Sequence, residues 1–128
     1  MKIIVCLKQV PDADAPRSSY SINARENRPE LSGVPPVISY YDELALEAAL
    51  RVRDANGADV HITALTLGKR ISKPAMQLAL AAGADELVKV EDPLFHEGVL
   101  DCHAKARLLT EAVRRIGPFD LVLVGRQS

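Results

Sequence analysis

The feature that most constrains this chain is an alternation that runs its whole length. Short apolar runs rich in β-branched residues take turns with segments whose apolar residues recur at helical spacing. Lys2–Leu7 (KIIVCL) reads as a strand buried on both faces. Pro11 and Pro16, with Asp12 and Asp14 nearby, then break regular structure into a loop. Ser18–Asn23 alternates weakly and Asn27-Arg28-Pro29 turns it back toward Leu31, which predicts a small hairpin within residues 18–32. Pro35-Pro36 ends that excursion.

From Tyr41 to about Ala55 the period becomes helical. Leu46, Ala49 and Leu50 share one face, with Tyr41, Ala45, Ala48 and Val52 on the adjacent one, a wide stripe suited to packing on a sheet. Asp42, Glu43 and Glu47 near its start and Arg51 and Arg53 near its end match the helix dipole, and Asn56-Gly57 closes it. Residues 58–68 (ADVHITALTLG) form the next strand. Ser72 is a helix cap with Pro74 in the first turn, and Ala75, Leu78, Ala79 and Ala82 are the inward positions before Gly83. Leu87–Val90 is a third strand. Asp101 caps a helix to Ile116 whose inner face is Ala104, Leu108, Leu109, Ala112, Val113 and Ile116. Phe119–Gly125 is a fourth buried strand. Four apolar strands separated by three amphipathic helices imply βαβ crossovers and a mostly parallel sheet, an α/β fold.

At 128 residues and 48% apolar, the chain suits one domain with a real core, residues 1–128. Sixteen Lys and Arg against 17 Asp and Glu argue against nucleic acid or an anionic membrane as the main partner. The apolar stretch at the start, Ile3–Leu7, is too short for a signal peptide, and no run approaches a membrane span, so a cytoplasmic location is expected. The two cysteines, Cys6 and Cys102, imply no disulfide framework.

The usual catalytic signatures are absent: no GxGxxG follows the first strand, and there is no GxxxxGK[ST], GxSxG or CxxC. His96 with Cys102-His103 has a metal-like spacing, but exposed histidines near a helix start are the better reading. Cys6 is either a small core residue or, if a ligand sits at the strand's carboxyl end, part of its pocket. Asp12 and Asp14 form a carboxylate pair whose Pro-bounded loop favours a solvated turn. Lys8 and Gln9 stand where they can reach a phosphate or ribose, with a solvated lysine as the ordinary alternative. Gly68 and Gly125 end strands, where each either admits a ligand close to backbone or serves the turn. Arg126 and Gln127 offer a cation and an amide for phosphate or a flavin edge. The residues by themselves read as a nucleotide-binding type of α/β domain without catalytic machinery.

Four blocks in order resemble the β subunit of electron transfer flavoprotein. They are KIIVCLKQVPD, DELALEAALRVRDANGADVHITALTLG, AMQLALAAGADELVKVED and the terminal DLVLVGRQS. The resemblance implies an adenine nucleotide α-hydrolase-like (Rossmann-like) three-layer fold with strand order 3-2-1-4-5. It implies an electron carrier, not an enzyme with its own substrate chemistry. The β subunit would bind AMP, or a second FAD in electron-bifurcating members. Its partner would be an α subunit carrying the redox-active FAD, with dehydrogenases as donors and a quinone reductase or another protein as acceptor.

Carried over by position, the nucleotide site would comprise Cys6, Ser39, Tyr40, Tyr41, Asp42, Leu67, Gly68, Val124, Gly125, Arg126, Gln127 and Ser128. These stand at carboxyl ends of strands or at a helix start, where backbone N–H groups meet phosphate. Two departures stand out: Ser39-Tyr40 replaces the family's common Asn-Pro, and Gly68-Lys69 replaces Gly-Pro, so that Lys69 or Arg70 adds charge near a phosphate. The family continues past GRQ with a phosphate-wrapping loop, a fifth core strand and an arm that embraces the α subunit. This chain therefore reads as the N-terminal portion of a longer β subunit, truncated after the fourth core strand, and of marginal stability or self-associating when alone. The alternative is a free-standing ATP- or AMP-binding regulatory module resembling universal stress proteins, which would normally show a Gly-rich phosphate loop near the last strand. A third reading, a nucleotide-activating enzyme, predicts an SGGxDS-like motif where KQVPDAD stands.

Overall fold

A computed structural model describes residues 1–25, 27–57, 59–95 and 100–127. The strands are β1 (Lys2–Leu7), β2 (Gln9–Val10), β3 (Tyr20–Asn23), β4 (Arg28–Leu31), β5 (Val37–Ile38), β6 (His61–Gly68), β7 (Glu86–Glu91) and β8 (Leu121–Val124). The helices are α1 (Tyr40–Asn56), α2 (Lys73–Ala82) and α3 (Cys102–Ile116).

The central sheet has the order β7-β6-β1-β8 and is parallel throughout. Counting core strands alone, this is 3-2-1-4, the first four places of the expected order. The chain steps outward from β1 through α1 to β6 and through α2 to β7. It then jumps back over β6 and β1, through α3, to β8. A crossover of constant hand that reverses direction must change faces. Accordingly α1 and α2 pack on Ile3, Val5, Leu7, Ile62 and Ala64, while Leu109, Ala112, Val113 and Ile116 of α3 pack on Ile4, Leu65 and Val122 of the other face. Period-2 alternation along β1 and β6 thus feeds two separate cores.

Local chemistry sets the element ends. Ser72 Oγ accepts from Ala75 N at 3.3 Å and Asp101 Oδ1 from Ala104 N at 2.7 Å, as their cap positions predict. The 18–32 hairpin forms as β3 against β4, with Tyr20 opposite Leu31 and Asn23 opposite Arg28. Asp12 makes a local turn, with Oδ1 accepting from Asp14 N at 3.0 Å.

Several expectations need correcting. The second core strand begins at His61, not at Ala58, and Ala58 lies outside the described residues. The fourth is shorter than 119–125 and only half-buried, because β8 is a sheet edge with β1 alone beside it. Ala48 of α1 faces solvent. In α2 the inward residues are Ala75, Met76 and Ala79, and Leu78 is 58% exposed. Ala82, also expected inward, is exposed; every residue of α2 from Ala75 on except Gln77 is apolar, so no polar face fixed its phase. Missed altogether was the antiparallel pair β2–β5, which sets Gln9 opposite Ile38 and Val10 opposite Val37.

Candidate functional site

Where the crossovers diverge from β1 and β8, two strand ends part company and leave backbone N–H groups without ladder partners. Such a switch point is where open α/β sheets place ligands. Here the gap is bridged from α1. Asp42, in its first turn, accepts from Lys8 N at 2.8 Å through Oδ2 and from Gly125 N at 3.1 Å through Oδ1. The carboxyl is buried, and burial raises its pKa against the pull of those two N–H groups and of the Lys8 ammonium. Gly125 is required by this contact. A Cβ there would stand 2.8 Å from the Tyr41 carbonyl carbon and 2.9 Å from Asp42 N, and would collide with Asp42 Oδ1.

Above this joint opens a cleft of about 640 Å³, bounded by the carboxyl ends of β1, β6 and β8 and by the first turns of α3. Its apolar walls are Leu65, Leu67, Leu109 and Val124. Lys8, Lys69, Arg70 and Lys105 bring cations to it. Gly68 lines it too, and a Cβ at Gly68 would meet nothing of the protein nearer than Ile71 Cγ1 at 3.6 Å. The fold does not need a glycine there, so its bare backbone is space open to a ligand. An apolar slot with a cationic margin suits a flat, largely apolar ring system carrying an anionic tail, and the volume falls in the usual range of small-molecule sites, about 300–1,000 Å³. That donor set fits an adenine nucleotide.

Of the residues singled out in the sequence, Cys6, Asp42, Leu67, Gly68, Val124, Gly125 and Gln127 line the cleft. Ser39, Tyr40, Tyr41 and Arg126 do not. Ser39 is buried at the start of α1, its carbonyl accepting from Asp42 N at 2.9 Å, and its Oγ stands 3.5 Å from the Gln127 carbonyl oxygen. Tyr40 is 67% exposed and meets Tyr41 edge to face with ring centroids 5.7 Å apart. Ser128 and His96 lie outside the described residues, and His103 is exposed. Burial, reinforced by the Asp42 charge, pushes the Cys6 thiol up to about 11, the opposite of the lowered pKa that makes a cysteine reactive. Gln9 is also on the cleft, but its amide is already committed to backbone of the β6–α2 loop, with Nε2 at 2.5 Å from Arg70 O and Oε1 at 2.7 Å from Ser72 N. Sequence reasoning missed the α3 wall, Cys102, Lys105 and Leu109. Cys102, Lys105 and Leu109 recur at helical spacing, a signal that shows a shared face but not what that face looks onto.

Residues 31–128 match the profile of the electron transfer flavoprotein domain. The chain is 39% identical over 132 residues to protein FixA of Azorhizobium caulinodans, covering all of this chain and 44% of that protein. It is 38% identical over 128 residues to the electron transfer flavoprotein subunit beta of Clostridium acetobutylicum, covering 46% of it. It is 35% identical over 129 residues to the caffeyl-CoA reductase-Etf complex subunit CarD of Acetobacterium woodii, again 46% of that chain. The chain thus spans a little under half the length of these relatives. With a parallel sheet in the expected order and a profile match over most of its length, the chain belongs to the electron transfer flavoprotein domain family.

Proposed function

We propose that this chain is the nucleotide-holding part of an electron transfer flavoprotein β subunit. The cleft takes an adenine nucleotide, AMP in an ordinary carrier or FAD in a bifurcating one, and so supports an FAD-bearing α subunit that passes electrons from dehydrogenases to a quinone reductase or another acceptor. The chain has no substrate chemistry of its own in this reading. FAD, where bound, supplies the reversible redox step, and AMP supplies none. Leu67 and Val124 would flank the adenine, Gly68 would admit it against backbone, and Lys69, Arg70 and Lys105 would face its anionic part. Asp42 would keep Lys8 and Gly125 in place beneath it.

The observation that carries this reading is the ligand-sized cleft at the switch point, with a glycine on its wall that the fold itself does not require. The test is to express the full-length gene product with its neighbouring genes and identify the nucleotides released on denaturation. AMP with one FAD per heterodimer is expected of an ordinary carrier, and two FAD of a bifurcating one. ATP released from a protein with no flavin-bearing partner would overturn the reading, as would release of no nucleotide at all.

A further inference from the structure

We propose that Gln9 is a positioning residue of the cleft: its side-chain amide locks the β6–α2 loop so that Lys69 and Arg70 are held on the cleft wall for the ligand's anionic part. The proposal rests on the nucleotide reading above. Gln9 itself is fixed, because β2 pairs its backbone with Ile38 of β5. Its amide then meets the loop with one donor and one acceptor. Nε2 donates to Arg70 O at 2.5 Å and Oε1 accepts from Ser72 N at 2.7 Å, so the two bonds straddle Ile71 as a neighbouring strand would.

The other side of the loop is held from β7. Glu91 Oε2 accepts from Ile71 N at 2.6 Å, and Asp92 N donates to Gly68 O at 3.3 Å. Ile71 is buried between the two sets of bonds. The backbone from Gly68 to Ser72 is therefore tied at four groups while the Lys69 and Arg70 side chains stay exposed at the cleft. Ordering a loop when a ligand arrives costs affinity, and a loop ordered in advance avoids that cost. Glutamine suits the place because Arg70 O needs a donor and Ser72 N needs an acceptor. A carboxylate lacks the first and an ammonium lacks the second.

The test uses the full-length protein with its partner, stripped of nucleotide and titrated with AMP at two salt concentrations. Gln9→Met keeps the side chain's bulk and removes both bonds. It is expected to weaken AMP binding by about tenfold, the size of two neutral hydrogen bonds, and to flatten the salt dependence, since the cations are no longer held at the cleft. Amide exchange should quicken at residues 69–72 and not across β1 or β6. In a Lys69→Gln, Arg70→Gln background, Gln9→Met should cost little further. An equal loss in that background would overturn the proposal, because Gln9 would then act by another route. Unchanged binding and exchange in Gln9→Met would overturn it alone, leaving the nucleotide reading standing. A parent protein that binds neither AMP nor FAD would overturn both, and the exchange result would still show whether the loop lock itself exists.

Discussion

At the scale of single residues the two strand-end glycines separate what the fold needs from what a ligand would use. Gly125 has no room for a methyl group, since Asp42 and Tyr41 occupy the space. Gly125→Ala should therefore destabilise by about 1–3 kcal/mol, the usual cost of overpacking, read as a lower urea midpoint. Gly68→Ala should change stability by less than about 0.5 kcal/mol yet weaken nucleotide binding, because only the cleft side is filled. Asp42 adds a pH signature. Its folded pKa is raised above the unfolded value, so in the window between them the folded state holds the extra proton and stability falls as pH rises. Asp42→Asn should abolish that slope relative to the parent and, by turning an amide N–H toward a backbone N–H, cost about 1–3 kcal/mol at pH 7. Cys6, with a thiol pKa of about 11, is thiolate in only about one molecule per thousand at pH 8. Iodoacetamide should thus label exposed Cys102 and leave Cys6 unmodified, as peptide mass spectrometry of the folded protein would read.

At the scale of elements, acidic side chains finish what the sheet leaves open. Asp120 Oδ2 takes Lys2 N at 2.7 Å and Asp85 Oδ2 takes Ile62 N at 2.7 Å where strands begin, while Asp42 and Glu91 serve where they end. Asp101 does the same for α3, so Asp101→Ala should cost about 1 kcal/mol, measurable by denaturation and localised by faster exchange in the first turn of α3. The elements were legible wherever one residue type has one local meaning. The β-branched runs gave β1 and β6, and Ser72, Asp101, Gly83 and Gly117 marked helix ends within a residue or so. The β2–β5 pair was not legible, since two residues a side are too few to show a period. The phase of α2 was not legible because it has almost no polar face. The cleft was half legible: residues next to strand ends follow from the strands, whereas Lys105 and Leu109 depend on which face of the sheet α3 covers.

At the scale of the whole molecule, the sheet has two unlike edges. β7, at one edge, leaves the charged Glu86, Lys89 and Glu91 exposed, which discourages pairing with another chain. β8, at the other edge, leaves Leu121 and Val124 exposed, and among the described residues no strand pairs with it on the side away from β1. A net charge of −1 gives little repulsion between copies. The 128-residue chain expressed by itself is therefore expected to self-associate, read by sedimentation velocity over a concentration series; a monomer that unfolds sharply and reversibly would contradict this. The long-range joint between Asp42 and Gly125 lay beyond sequence reasoning, because 83 residues separate the two and neither carries a local sign of the other.

The central place of β1 also has a consequence in time. Of the four strands of the central sheet it is the first to be made, yet its neighbours in the finished sheet, β6 and β8, pair Ile3 with Ile62 on one side and with Leu121 on the other. The chain therefore cannot be laid down edge to edge as it is made. A nascent chain paused before Leu121 would hold β1 with one bare flank and Asp42 with one of its two amides. Arrival of β8 and the glycine that follows it closes both.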